Sequence, residues 1–176
     1  MKPIRIIVHT TADYRITPQF DIVNKWHRQQ GFPISSLGYY CGYTYFIERD
    51  GTLIQARKDD EEQAHVQGFN QDSIGIGLAL DGDRERPSVE QWLVLKNLIN
   101  KKMAEWEILP ANIDGHRAFT SLKTCPGIKI SDLEIKLLFQ PDIAYLQRMI
   151  LKIQQLIANL KSRAIGKIKV EEDKYN

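Results

Sequence analysis

Residues 4–9, IRIIVH, and residues 73–80, SIGIGLAL, have the pattern of strands at the centre of a sheet. The first is a short apolar run rich in β-branched side chains and ended by a histidine. That composition predicts a buried strand that delivers His9 at its carboxyl end. The second is an apolar run interrupted by Gly75 and Gly77. Glycine weakens a strand, so two of them inside a central one signal a place where another group must approach the backbone closely.

Outward from these strands the pattern alternates. Thr17-Pro18 opens a helix in which Phe20, Val23 and Trp26-His27 keep helical spacing until Gly31 stops it. Residues Tyr39 to Glu48 are rich in aromatics and predict a strand. Arg49-Asp50-Gly51-Thr52 is a hairpin turn of the Asp-Gly kind, and Leu53 to Arg57 returns as the partner strand. Pro87 and Ser88 then open a helix whose Trp92, Leu95, Leu98, Ile99 and Met103 form one apolar face. Strands interleaved with helices around a buried sheet make an α/β layered domain.

From Pro141 the character changes. Ile143, Leu146, Ile150, Ile153, Ile157 and Leu160 alternate spacings of three and four residues, the seam of a coiled coil, and Met149 and Leu156 widen it. Such a stripe must be buried, either by folding back on the preceding domain as an extra layer or by pairing with a second chain, and of the two the expectation carried forward is self-association as a homo-oligomer through residues 141–164. We therefore divide the chain into a domain at 1–138 and an amphipathic helix with a polar tail at 139–176, and expect fraying from Gly166 onward.

The 176 residues suffice for one domain with a sizeable core. Twenty-four basic against 22 acidic side chains leave a net charge of +2, too even a balance to make nucleic acid a partner. The apolar run at the start is too short for a signal-peptide core, and no later stretch approaches a membrane span. A product that is soluble and cytoplasmic when synthesised is expected. With only Cys41 and Cys125, the chain has too few cysteines for a disulfide-stapled scaffold, and each thiol is available for packing or for a metal.

Four histidines occur, at 9, 27, 65 and 116, and His116 precedes Cys125 by nine positions in DGHRAFTSLKTCPG, residues 114–127. Two imidazoles and a thiolate would make a three-ligand zinc site with the fourth position open, the arrangement of catalytic rather than structural zinc. Nitrogen and sulfur donors also favour zinc over magnesium or calcium. Spacing by itself leaves open which histidines share a metal, or whether they merely pack.

Five segments resemble a known family. IIVHTTADY, KWHRQQGF, GYTYFIERDGTLIQAR, AHVQGFNQDSIGIGLAL and GHRAFTSLKTCPG occur in the order and at about the spacing of the phage lysozyme-type N-acetylmuramoyl-L-alanine amidases. That family shares a superfamily with the peptidoglycan recognition proteins, and the resemblance covers residues 4 to 130. It implies a central mixed β-sheet flanked by helices, here with a C-terminal helical extension. It also implies zinc-dependent cleavage of the amide between N-acetylmuramic acid and L-alanine in bacterial peptidoglycan, as a phage or prophage endolysin with holin-dependent access to the wall. Carried over by position, it makes His9, His116 and Cys125 the zinc ligands and places Tyr43 and Lys123 beside the metal as catalytic groups. His65 falls on a histidine that the phage enzymes carry just before a turn, here Gly68-Phe69-Asn70, and His27 on a helix position outside the metal site.

The chain departs from the family pattern at Thr44, where the phage enzymes carry histidine, and at Phe69, where they often carry tyrosine. Thr44 should point away from Tyr43 and leave the metal undisturbed. No carboxylate falls where related bacterial amidases keep an acidic base. Proton transfer is thus left among Tyr43, His65 and water, with Glu48 and Asp72 as weaker candidates that read as ordinary surface charges. Three other readings are carried: a non-catalytic peptidoglycan-binding module, a cytoplasmic amidase that recycles wall fragments, and a regulatory partner of an RNA polymerase. Cys125 argues against the first two, because binding-only members lack the cysteine and the recycling enzymes place aspartate there.

Overall fold

The computed structural model describes residues 1–138 and 143–172, arranged as two units, 1–139 and 140–176. In the first unit five strands form one mixed sheet: β1 (Arg5–Thr10), β2 (Tyr45–Ile47), β3 (Leu53–Gln55), β4 (Ser73–Leu78) and β5 (Ile113–Gly115), in the order β3-β2-β4-β1-β5. Strands β2, β4, β1 and β5 run parallel, and only the hairpin partner β3 is antiparallel. Helices α1 (Phe20–Gln29) and α2 (Val89–Trp106) flank the sheet, and α3 (Asp132–Leu137) follows β5. This is the mixed sheet flanked by helices that the sequence implies.

The period-two alternation of the strands sorts the faces. Ile6, Val8, Tyr45, Ile47, Ile74, Ile76 and Leu78 turn to one side and pack with Leu95, Leu98, Ile99 and Met103 of α2. The opposite side of β4 therefore presents Ser73, Gly75 and Gly77, and the opposite side of β1 presents Ile7 and His9. Register sets His9 beside Gly77. A smaller cluster of Phe20, Cys41, Phe46, Ala56 and Ala79 closes that second face. One face is thus filled by branched side chains, while the other is kept shallow by small residues, so that side chains from loops can lie on it.

Helix α2 starts after Ser88 and is closed by a capping box: the Ser88 hydroxyl accepts from the Gln91 N–H and the Gln91 side chain from the Ser88 N–H. Helix α1 differs, beginning at Phe20 rather than at Pro18. Its first amides, those of Gln19 and Phe20, are satisfied by the buried carboxylate of Glu48 at 2.7–2.9 Å. Glu48 is accordingly a capping group and not a surface charge.

The expected strand over Tyr39–Glu48 is shortened to Tyr45–Ile47. Side chains of α1 explain the difference, because they take the amides that a ladder would use. Asn24 Oδ1 accepts from Tyr40 and Cys41 N–H at 2.7 and 2.9 Å, and His27 Nδ1 accepts from Gly42 N–H at 3.1 Å. Strand β5 and helix α3 are absent from the sequence reading; three and six residues are too short to show a period. Both cysteines are free thiols.

The second unit contains α4, one helix from Ile143 to Glu172. Leu146, Ile150, Ile153, Ile157 and Leu160 of its apolar stripe are exposed. The helix runs past Gly166, where fraying was expected, to Glu172. The boundary residues 139–142 and the tail 173–176 lie outside the described residues. Among the described residues no helix is long and apolar enough to cross a membrane.

Candidate metal centre

His9 sits near the carboxyl end of β1, as its place after an apolar run predicts, and is 2% exposed. His116 follows β5 directly at the start of a 3-10 turn, His116–Phe119. Parallel pairing of β1 with β5 brings these two strand ends side by side, with ring centroids 4.6 Å apart. Cys125 arrives from the following loop, where its Sγ accepts from Thr10 N–H at 3.5 Å and lies 3.8 Å from His9 Nδ1.

Arg117 holds that loop. Its guanidinium donates to the carbonyls of Thr124, Gly127 and Ile130 and pairs with Asp132, while its own N–H donates to the Cys125 carbonyl at 2.7 Å. Asp83 fastens the other side through Thr124 Oγ1 and Ile128 N–H, both at 2.8 Å.

Ligand atoms of His9, His116 and Cys125 all lie within 4.8 Å of one another. Donors around one tetrahedral zinc stand about 3.3–3.8 Å apart, given bond lengths of ~2.0–2.3 Å. The three side chains are thus gathered on the scale of a single ion. Their chemistry fits as well. Burial pushes the His9 pKa well below its ordinary value and that of His116 down to about 4, so both imidazoles stay neutral, the form that offers a lone pair. Burial also raises the Cys125 thiol. A thiol so placed becomes a thiolate when a cation is there to stabilise it.

The other predicted residues surround this group in a cleft of about 500 Å³. Tyr43 lies with its ring centroid 5.0 Å from that of His9, and burial raises its pKa, so the phenol remains a neutral donor. Lys123 is exposed and lines the same cleft. His65, half-buried overall, bonds through Nδ1 to His9 Nε2 at 2.8 Å, and burial of its ring lowers its pKa to about 3. Asn70 accepts from the N–H groups of His65 and Val66, which sets the turn that carries the histidine.

The glycines of β4 now have a reason. A methyl group on Gly75 would stand 2.8 Å from the His65 ring, and one on Gly77 2.6 Å from the Tyr43 ring. Each glycine makes the space for one site residue.

His27 is buried against Tyr43 and stacked on Phe32; it lines the cleft but is not among the three converging donors, in keeping with its interfacial reading. Thr44 is buried, its hydroxyl donating to the side-chain oxygen of Gln63 and accepting from Gly75 N–H. Asp72 pairs with Arg5 at 2.8 Å. Neither Glu48 nor Asp72 lines the cleft, and both drop out as proton-transfer candidates. Sequence reasoning missed Ser73, Arg117 and the cleft-lining Trp26, which is 53% exposed. All three lie inside the family segments, but their parts follow from contacts between distant segments, which the segments themselves do not show.

The sequence model of the N-acetylmuramoyl-L-alanine amidase family matches residues 1–128. The endolysin of Enterobacteria phage T3 is 34% identical over 116 residues, which are 61% of this chain and 69% of that protein. The endolysin of Klebsiella phage KP32 is 36% identical over 76 residues, 42% of this chain, and the match spans about half (46%) of that relative's length. Among solved structures, the N-acetylmuramoyl-L-alanine amidase LysC from Clostridium intestinale URNW superposes with a TM-score of 0.66 at 26% identity, covering 78% of this chain and 85% of LysC. Since the family pattern runs through both the sheet and the loop that carries Cys125, this chain belongs to the N-acetylmuramoyl-L-alanine amidase family.

Proposed function

We propose that this chain hydrolyses the amide between N-acetylmuramic acid and L-alanine in bacterial peptidoglycan, as a phage lysin, with zinc held by His9, His116 and Cys125. The observation that carries the reading is the convergence of those three donor groups in a cleft that also holds Tyr43 and Lys123. Zinc at such a site supplies an activated water and polarises the amide carbonyl.

The chain's own residues account for the rest. Negative charge develops on the amide oxygen in the transition state, and stabilisation comes from donors already aimed at it. Lys123 at the cleft mouth contributes positive charge, and the neutral phenol of Tyr43 contributes a hydrogen bond. Burial of both imidazoles and the Tyr43 ring lowers the local dielectric, which strengthens these contacts. The exposed face of Trp26 offers an apolar platform for the substrate beside the reacting bond.

The test is digestion of purified sacculi by the metal-replete protein. Appearance of free L-alanine amino termini without new reducing sugar ends, together with one zinc per chain, supports the proposal. New reducing ends, or cleavage that persists after zinc is stripped, would overturn it.

A further inference from the structure

Behind His9 a chain of hydrogen bonds ends on a group that can only accept. Ser73 Oγ lies 2.5 Å from the Phe69 carbonyl, so the single hydroxyl proton of Ser73 is donated there. Ser73 Oγ also stands 3.0 Å from His65 Nε2. With its proton already used, the hydroxyl can only accept from that nitrogen, so Nε2 of His65 carries a hydrogen. A neutral imidazole has one hydrogen, which leaves His65 Nδ1 as an acceptor. Its partner at 2.8 Å is His9 Nε2, which must then be the donor. The remaining nitrogen of His9, Nδ1, is left with a lone pair, and it is this atom that faces Cys125.

We infer that Ser73 and His65 form a positioning relay that fixes His9 in the tautomer presenting its Nδ1 lone pair to the metal site. The inference rests on the metal reading given above and assigns His65 a role different from proton transfer. Its Nδ1 is already engaged as an acceptor, and its other nitrogen points away from the cleft toward β4. The small residues of β4 serve this arrangement: Gly75 gives the His65 ring its place, and Ser73, completely buried, ends the relay on the same face. Partners of this kind fix ring orientation and ligand basicity, and their removal typically weakens metal affinity about 10–100-fold.

Two measurements on the full-length chain test the relay. In the metal-free protein, nitrogen-15 NMR of the imidazoles should show the His9 proton on Nε2, and Ser73→Ala should mix the tautomers. Competition for zinc against a chromogenic chelator should show the dissociation constant rising about 10–100-fold in Ser73→Ala and His65→Leu. His65→Gln, whose side-chain carbonyl can accept the His9 Nε2–H, should recover most of the loss.

A purely structural role would lower the thermal midpoint of the metal-free variants without moving the tautomer or being rescued by glutamine. Wild-type zinc affinity in both Ser73→Ala and His65→Leu, or a His9 proton found on Nδ1, overturns the relay. Failure of the wild-type chain to take up zinc overturns the metal reading instead, and the tautomer experiment, made without metal, still decides the relay.

Discussion

Replacing Gly77 by alanine puts a single methyl group between β4 and Tyr43. The new Cβ would stand 2.6 and 2.8 Å from two atoms of the Tyr43 ring and 3.1 Å from Phe46. Carbon atoms in contact prefer about 3.5–4.0 Å, so the ring must move by roughly 1 Å. It cannot move freely, because His9, His27 and Phe46 lie around it. Overpacking of this kind costs about 1–3 kcal/mol. At roughly 2–4 °C per kcal/mol for a domain of this size, the midpoint should fall by about 2–12 °C. Catalysis should suffer more, since a misplacement of ~1 Å in a positioning group can cost about 100-fold. Zinc stoichiometry should be retained, because the atoms nearest the new methyl belong to Tyr43 and Phe46 and not to a ligand. The assays are differential scanning calorimetry, metal analysis and release of peptide from sacculi. A Gly77→Ala protein with wild-type midpoint and turnover would refute the claim that this glycine exists to seat Tyr43.

The remaining predictions address other parts of the molecule. Lys123→Ala and Tyr43→Phe should keep the fold and the zinc while losing ~100-fold in turnover; loss of zinc would show that they serve the structure instead. Zinc affinity should fall as pH falls, by about tenfold per unit for a proton that the metal must displace from the raised Cys125 thiol, and a flat profile from calorimetric titration would count against a thiolate ligand. Away from the cleft, Lys102 pairs with Asp59 at 2.6 Å, each side chain 7% exposed. Burial opposes the Lys102 charge, but hydrogen bonds to Asp59, Tyr45 and Glu105 outweigh it and raise the pKa. A raised folded pKa stabilises fully below the unfolded value and is lost as pH climbs through the folded one, so the wild type should lose stability at alkaline pH more steeply than Lys102→Met. Finally, deletion of 141–164 should abolish self-association and leave a soluble, zinc-loaded domain; light scattering that finds the full chain monomeric at high concentration removes the self-association claim.

Much of this was legible in the chain itself. Strands β1 and β4 were readable because burial on both faces demands continuous apolar runs, and α2 because its apolar face and its Pro87-Ser88 start are local signals. The glycines of β4 announced a close approach without revealing what approaches. His9, His116 and Cys125 could be named together only through the family's segment order, since 116 residues separate the first ligand from the last.

The order of residues carries local preferences: period, helix starts, turns, and the chemical types able to hold a metal. Tertiary structure alone decided which groups use one another. Glu48 reads as a surface acid and becomes the cap of α1, because the helix starts where a carboxylate from β2's end meets its free amides. Residues 39–44 read as strand and become loop, because Asn24 and His27 of α1 take the amides of Tyr40, Cys41 and Gly42 first. Ser73 reads as one more residue of an apolar strand and becomes the end of the relay behind His9, because β4 sets it on the face where the loop histidine lies. The physical reason is common to all three: a hydrogen bond is chosen by distance in space, and separation along the chain carries almost no information about it.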